Sequence, residues 1–499
     1  MAATPTSTFW SETPLTLVSD RQPQQREECD AIVIGAGIVG LTTALLAAEA
    51  GLKVVVLEAR SPGAGTTGRS TAKASLLQGT LAAQIRTRHG DGTLRKYLSA
   101  NRAGLELLRL NLSDSDVPWD TRDAWTYAVD ASGEPKLQAE ADALRLGGLT
   151  AEVEPTEELP FATRGGVRLP EQLQIDPLAY VAWLVRRLQS LSVPVVWPVR
   201  VTSVKRDGPG LTVQAPGLQL RARWVVIATL MPFPVRTAMF AMAAPSRSYL
   251  ISGWAGGQLP RGMYLSCDDG PTRSLRTASG PQGVEHLLVG GSGHPTGRKQ
   301  PASAHLADLE KWGVDNFGAP GTAHRWSAQD YLSADLMPHV GRSPFGPDGV
   351  LLATGFSKWG ITNGTAAAIA LAGVMEGAPP AWADTFEPRF PRERRSGGRL
   401  LELNLQVGFG LAKGWAADPS PDAEVPQGQG RVVRALPRPR GKANIAGQVR
   451  TCSAVCTHLG GILRFNDVEQ SWDCPLHGSR FDTYGNVLDG PAVRDLRRS

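Results

Sequence analysis

The first ordered pattern along the chain is a short apolar run, Ala31-Ile32-Val33-Ile34, of the kind a strand buried on both faces shows. It leads through Gly35-Ala36-Gly37-Ile38-Val39-Gly40 into an apolar helical stretch ending at Ala50, and a second strand, Lys53 to Leu57, stops at Glu58. Farther on, Asp176-Pro177 predicts a helix start, a capping carboxylate followed by a proline whose missing N–H costs nothing there. Leu178, Val181, Leu184, Val185 and Leu188 give that helix one apolar face. Pro194 then opens a short third parallel strand, Val195 to Trp197, followed by strands around 201–205, 211–214 and 218–228, the last returning the chain to the first sheet. Residues 235–345 lack helical periodicity except near Ala304 to Phe317 and predict an antiparallel sheet. Gly349 to Thr354 rejoins the first sheet, and Thr362 to Met375 predicts a closing helix. No internal repeat interrupts this order.

The glycine run between strand and helix changes the picture from fold to chemistry. It reads G-x-G-x-x-G, with the acidic Glu58 at the end of the next strand, where a carboxylate can bond a ribose hydroxyl. A pyrophosphate would rest on the helix N-terminus, where amide donors and the helix dipole favour an anion. Residues 31–48 are uncharged and long enough for a membrane span, but three glycines and a strand-like start argue against one. After Glu58, the Gly- and Thr-rich run Gly63 to Lys73 suits neither helix nor strand and reads as a loop approaching a phosphate or flavin. No second G-x-G-x-x-G follows, since Gly290-Gly291-Ser292-Gly293-His294 has the wrong spacing and frame, which argues against NAD(P)H as donor.

The last fifth carries a different chemistry. Cys456-Thr457-His458 is followed, with 15 residues between, by Cys474-Pro475-Leu476-His477. Mixed Cys-His pairs at this spacing suit a 2Fe-2S cluster with two thiolates on one iron and two imidazoles on the other. Zinc also accepts two Cys and two His, but zinc fingers usually pair like with like. The remaining cysteines, Cys29, Cys267 and Cys452, form no disulfide framework, and Cys452 reads as a packed thiol.

At 42% hydrophobic and 20% charged, the 499 residues are ordinary for a folded protein of two to four domains, and a net charge of +5 carries no nucleic-acid footprint. Arg394-Arg395 and Arg497-Arg498 are too short to make one. Residues 1–28 are polar and Pro-rich without an apolar core, so a secretion signal is not expected and the reading is cytoplasmic. From Pro388 to Pro426 the composition shifts to Arg, Gly and Pro around one apolar stretch, Leu400 to Leu411, which marks a connector.

Cys-Thr-His-Leu-Gly-Gly and Cys-Pro-Leu-His-Gly-Ser resemble the two cluster-binding boxes of the Rieske family, over roughly the last 75 residues. The resemblance makes Cys456, His458, Cys474 and His477 the metal ligands. Gly461 and Leu476 stand where cytochrome bc-complex members carry an extra disulfide. Ser479 matches the serine that donates to a bridging sulfur, and Phe481 replaces the expected tyrosine. Fewer bonds to sulfur imply a lower potential within the Rieske range of about −150 to +300 mV.

Residues 29–390 resemble the FAD-dependent oxidoreductases of the D-amino-acid oxidase and glycine oxidase superfamily, in the branch with a C-terminal Rieske domain. The matching runs are the glycine motif, Gly63 to Lys73, Leu173 to Pro177, Ser246 to Tyr249, Pro271 to Arg276, Arg325 to Tyr331 and, most specific, Ala353 to Gly364. The resemblance implies an α/β fold, a Rossmann-like FAD domain with an interleaved antiparallel α+β substrate domain, plus a small all-β Rieske domain. It implies an N-terminal extension at 1–28, an FAD oxidoreductase at 29–385, a connector at 386–423 and the Rieske domain at 424–499. Within the oxidoreductase the nucleotide part is expected at 29–110, 170–230 and 346–385, and the substrate part at 111–169 and 231–345. FAD is expected against Gly35, Gly37, Gly40, Glu58, Arg60, Thr67, Thr71, Ala72, Val201, Gly355, Trp359, Gly360 and Thr362.

A flavin takes two electrons from an organic substrate and the cluster takes them singly, so the expected activity is oxidation of a small amine or amino acid at a C–N bond. The electrons would leave through the cluster to an acceptor, with a one-electron acceptor protein as a candidate partner. Arg273 and Arg276 are candidates for a substrate carboxylate or for structural ion pairs. Gln329, Tyr331 and Lys358 are further candidates, and His339 reads as packed. Two other readings stay open: an electron-transfer component feeding an oxygenase, and a redox sensor with an idle flavin domain. No membrane span is expected, and the flavin domain is expected to work without residues 420–499.

Overall fold

The computed structural model describes residues 7–12, 16–20, 22–233, 239–254, 258–280, 283–298, 301–318, 321–388, 405, 407–415 and 424–498. Arg394-Arg395 and most of the expected connector lie outside the described residues.

Strand β1 (Glu28–Ile34) sits inside an eight-stranded sheet, between β2 (Val54–Leu57) and the strand Leu218–Ile227, parallel to both. Ala31 and Val33 enter one core and Ile32 and Ile34 the other, which is why the run is apolar without alternation. Val195–Val196 and Val350–Thr354 extend the parallel sheet on its two sides. On one face lie helix α1 (Ile38–Glu49) and the helices Asp91–Ser113, Pro177–Ser190 and Gly360–Glu376. Two of these pack closely at Gly104, where a Cβ would come within 2.7 Å of the Thr362 carbonyl oxygen. Asp176 caps its helix as the sequence predicts, its carboxylate accepting from the N–H groups of Leu178 and Ala179 at 2.9 Å each.

A nine-stranded sheet forms the second layer, with Gly321–Ser333, Ala243–Trp254, Glu285–Pro295 and Arg273–Ser279 antiparallel in that order. Gly166–Ile175 and Lys73–Ala74 belong to this sheet, whereas the sequence assigned residues 170–175 and 73–74 to the nucleotide part. Trp119–Tyr127 explains the difference, because Gly166–Ile175 pairs with it and Lys73–Ala74 in turn pairs with Gly166–Ile175. Conversely His339–Arg342 pairs with Val350–Thr354 in the first sheet.

Residues 424–498 form two small antiparallel sheets around their own core, in which Trp472 and Phe481 are fully buried. Val407 and Leu411 of the preceding segment pack on that core. Among the described residues no helix is long and apolar enough to cross a membrane. The uncharged stretch 31–48 divides into β1, the glycine turn and α1.

Candidate flavin and cluster sites

The turn after β1 is built for close approach. Gly35 has φ +108°, and a Cβ there would lie 2.6 Å from the Ala228 carbonyl oxygen. Gly37 ends the turn in extended conformation and starts α1 with no side-chain cap, so the helix N-terminus faces the cavity without a carboxylate or hydroxyl of its own turn. Thr67 reaches it from the following loop, its Oγ1 accepting from Ile38 N–H at 3.2 Å. Glu58 closes the end of β2, accepting from Ala36 N–H at 2.9 Å and Arg60 N–H at 2.8 Å.

These groups open on a cavity of about 380 Å³. Of the expected FAD contacts, Gly35, Gly37, Glu58, Arg60, Thr67, Thr71, Ala72, Val201, Trp359 and Gly360 line it. Gly40, Gly355 and Thr362 stand behind the wall. A Cβ on Gly40 would fall on the Gly35 carbonyl, one on Gly355 would meet Ser333, and Thr362 Oγ1 accepts from Ser75 N–H at 3.0 Å. A glycine-lined turn, an open helix N-terminus and an acidic group at the next strand end fit a flavin dinucleotide.

Of the five candidate catalytic side chains, Lys358 alone lines the cavity. Ser357 and Lys358 have φ +51° and +73°, a left-handed pair that costs energy in residues with a Cβ. Asp330 holds them there by accepting from the Lys358 N–H, while Ser357 N–H donates to the Tyr331 carbonyl at 3.2 Å. Burial raises Asp330 to about 6, against the Tyr331 and Lys358 amides that lower it. Burial lowers Lys358, and Asp330 opposes that shift. A second buried lysine, Lys73, lines the same cavity and donates to Tyr264 O and Ser274 Oγ at 2.7 Å each. Burial drives it well below its ordinary value, and nearby Arg276 adds to the shift. Lys73 and Asp330 lie within the runs Gly63 to Lys73 and Arg325 to Tyr331, and only the fold shows that they face one space.

The other four candidates have different work. Arg273 pairs with Asp308 at 2.8 Å behind the sheet. Arg276 donates to the carbonyls of Thr71, Ala72 and Ile175, pinning the flavin loop. Gln329 Nε2 donates to Gly478 O at 2.8 Å, and the Tyr331 hydroxyl donates to His477 O at 2.8 Å. Both therefore serve the contact with the C-terminal domain. His339 is fully buried, with Ser333 Oγ at 3.3 Å.

In that domain the two Cys-His boxes form facing loops. The rings of His458 and His477 lie 5.2 Å apart at 83°, and the thiols of Cys456 and Cys474 are in mutual contact, which lowers Cys456 to about 7 and raises Cys474. Burial lowers His458 to about 4 and His477 to about 3, keeping both rings neutral, and His458 Nε2 is buried without a partner. Among the described residues no three such side chains converge as one ion requires. Thiols meeting as one pair and imidazoles as another suit a two-iron cluster. Ser479 bonds the Cys456 sulfur and lowers its pKa. Cys452 is packed in the core and stays a thiol, pushed up to about 12 by burial.

The imidazole edge points at the oxidoreductase domain, with the Phe240 ring 5.3 Å from His458 and 4.7 Å from His477. Gly478 approaches so closely that a Cβ would fall 2.6 Å from Pro245 and 2.8 Å from the Tyr331 hydroxyl. Charged pairs surround this contact: the fully buried Arg247 with Asp473 at 3.2 Å, the half-buried Arg69 with buried Glu469 at 3.1 Å, and the half-buried Arg60 with Asp489 at 3.3 Å. Arg480 meets all three carboxylates, at 3.2, 3.5 and 2.9 Å. Removal of residues 420–499 would take Asp473 away from Arg247 and open this interface to water, leaving the guanidinium with Ser327 and Gln329.

Residues 30–373 match the family described as FAD dependent oxidoreductase, and residues 420–498 match the Rieske [2Fe-2S] domain. YhfW of Bacillus subtilis (strain 168), named as a Rieske 2Fe-2S iron-sulfur protein, is 28% identical over 98% of this chain and 97% of its own length. Glycine oxidase from Geobacillus kaustophilus superposes with TM-score 0.60 at 18% identity, over 73% of this chain and 99% of its own. L-amino acid deaminase from Proteus vulgaris gives 0.60 at 14% identity, over 75% and 100%.

Proposed function

Because the chain belongs to the FAD dependent oxidoreductase family and carries a Rieske 2Fe-2S domain, we propose that it dehydrogenates a small amine or amino acid and releases the electrons singly through the cluster. Bound FAD supplies two-electron oxidation of a C–N bond, and the cluster supplies one-electron transfer. The observation that carries this reading is that one interface joins the two sites. The Tyr331 hydroxyl bonds the backbone of the cluster ligand His477, and its neighbour Asp330 lines the flavin cavity.

The chain's own residues support this choice of substrate. Lys73 and Lys358 put two amino groups on the walls of a mostly apolar cavity, and because burial disfavours their charged forms, an entering carboxylate would be the partner that restores those forms. Asp330, raised to about 6, can hold or accept a proton near neutral pH while fixing the Lys358 backbone. Glycine oxidase and L-amino acid deaminase, named for substrates of this class, share the fold and support the choice.

Anaerobic screening of amino acids and amines for flavin bleaching tests the proposal. Bleaching by a compound carrying both amine and carboxylate is expected. Reduction by a carrier protein alone, with no response to any amine, would instead favour an electron-transfer component.

A further inference from the structure

The segment from Leu488 to Val493, near the C-terminal end of the Rieske domain, touches both cofactor sites. On one side Leu488, Asp489, Gly490, Ala492 and Val493 line the flavin cavity. Asp489 lies 3.3 Å from Arg60, the cation that follows Glu58, and Val493 packs on the core beneath the nucleotide sheet. On the other side the segment holds the second cluster box. Ala492 N–H donates to Ser479 Oγ at 3.0 Å, and the Gly490 carbonyl shares the Tyr331 hydroxyl with His477, at 3.4 and 2.8 Å.

From this arrangement we infer that the FAD site is bipartite: residues 488–493 of the Rieske domain form one of its walls, and FAD occupancy and cluster integrity stabilise one another. The inference rests on the two cofactors and is independent of the substrate reading. Asp489 sits between Arg60 of the nucleotide part and Arg480 of the Rieske sheet, so it fixes Arg60 only while the Rieske sheet is in place. The cluster organises the loop that contains His477 and Ser479, and those two residues are tied to Gly490 and Ala492 through Tyr331 and a direct bond. Loss of the cluster therefore loosens a flavin wall. Linkage makes the effect reciprocal, so bound FAD must protect the cluster by the same factor.

Full-length protein stripped of FAD is titrated with FAD and followed by quenching of flavin fluorescence. Asp489→Asn is expected to bind FAD about tenfold more weakly than the unaltered protein, because a charge-assisted bond to Arg60 is lost. Cys474→Ser, which cannot hold the cluster, is expected to bind at least as weakly. In the reciprocal arm the unaltered protein is equilibrated with an iron chelator with and without saturating FAD, and the equilibrium constant for cluster loss, read from cluster absorbance, is expected to fall about tenfold with FAD. Unchanged FAD affinity in Asp489→Asn overturns the wall, and equal constants for cluster loss with and without FAD overturn the coupling. Both of those arms retain all four cluster ligands, so they decide the question even if Cys474→Ser fails to fold.

Discussion

Replacing Arg247 by methionine probes the interface that joins the two sites. The guanidinium is fully buried and donates to Ser327 Oγ at 2.7 Å and Gln329 Oε1 at 3.2 Å, besides pairing with Asp473 at 3.2 Å. Methionine keeps much of the volume and leaves Asp473 with Arg480 at 3.2 Å, Asn466 at 3.1 Å and Ser471 at 2.9 Å. Removing one partner of a buried ion pair costs about 3–5 kcal/mol, and the bonds Asp473 keeps place this case near the lower end. A loss of about 3 kcal/mol raises the undocked population roughly a hundredfold. Hydrogen exchange by mass spectrometry on peptides covering 327–331 and 474–479 reads that population, and exchange there should accelerate by about that factor while α1 is unaffected. Burial pushes Asp473 up, but Arg247 and Arg480 hold it below the usual carboxylate range. Its stabilisation is therefore present above the unfolded-state value and lost as pH falls through the lowered folded one, and in Arg247→Met that loss should begin at higher pH. Asp473→Asn in the same background should recover part of the loss, since the carboxylate deprived of Arg247 is then removed while Arg480 keeps Glu469 and Asp489. Exchange in those peptides unchanged by Arg247→Met would refute the argument that the domains are locked by desolvated charge.

Glu58→Ala should weaken FAD binding by about 1–3 kcal/mol, the cost of an unmet hydrogen bond, measured by equilibrium titration. Lys358→Met should raise KM for a carboxylate-bearing substrate at least tenfold and leave FAD content unchanged; an unchanged KM would remove Lys358 from the substrate site. The raised Asp330 contributes stability that is full below its ordinary value of 3.8 and lost as pH rises through about 6. Asp330→Asn should flatten stability across that window in chemical unfolding, and should remove an inflection near pH 6 from the rate of flavin reduction. Purified protein should hold about two iron per chain, and His477→Cys should lower the cluster potential or abolish the cluster, read by metal analysis and EPR.

Local chemistry was the legible part of the sequence. Ala31 to Gly40, Glu58 and the two Cys-His boxes announce themselves because strand burial, close backbone approach and metal ligation each demand particular residues at fixed spacing. Arg273 and Arg276 misled for the opposite reason. A guanidinium in a strand reads the same whether it meets a substrate carboxylate, Asp308 or the carbonyls of a loop, and the partner is settled only by tertiary pairing. Gln329 and Tyr331 were found as polar residues in a family motif, but their bonds run to a domain about 150 residues farther along the chain, beyond any local pattern. Lys73 and Asp330 reach one cavity from distant segments, so spacing gave no hint of their meeting. The placement of residues 170–175 in the second sheet was likewise hidden, since a strand's own residues do not encode which sheet it joins.

The central claim is that substrate electrons pass within one molecule from the flavin site to the cluster. Anaerobic stopped-flow mixing with an amino acid that bleaches the flavin, following flavin and cluster absorbance separately, tests it most directly. Flavin should bleach first, and the cluster should follow in a phase whose rate is independent of protein concentration. A cluster that remains oxidised after the flavin is bleached, or one reduced at a rate proportional to protein concentration, would contradict it.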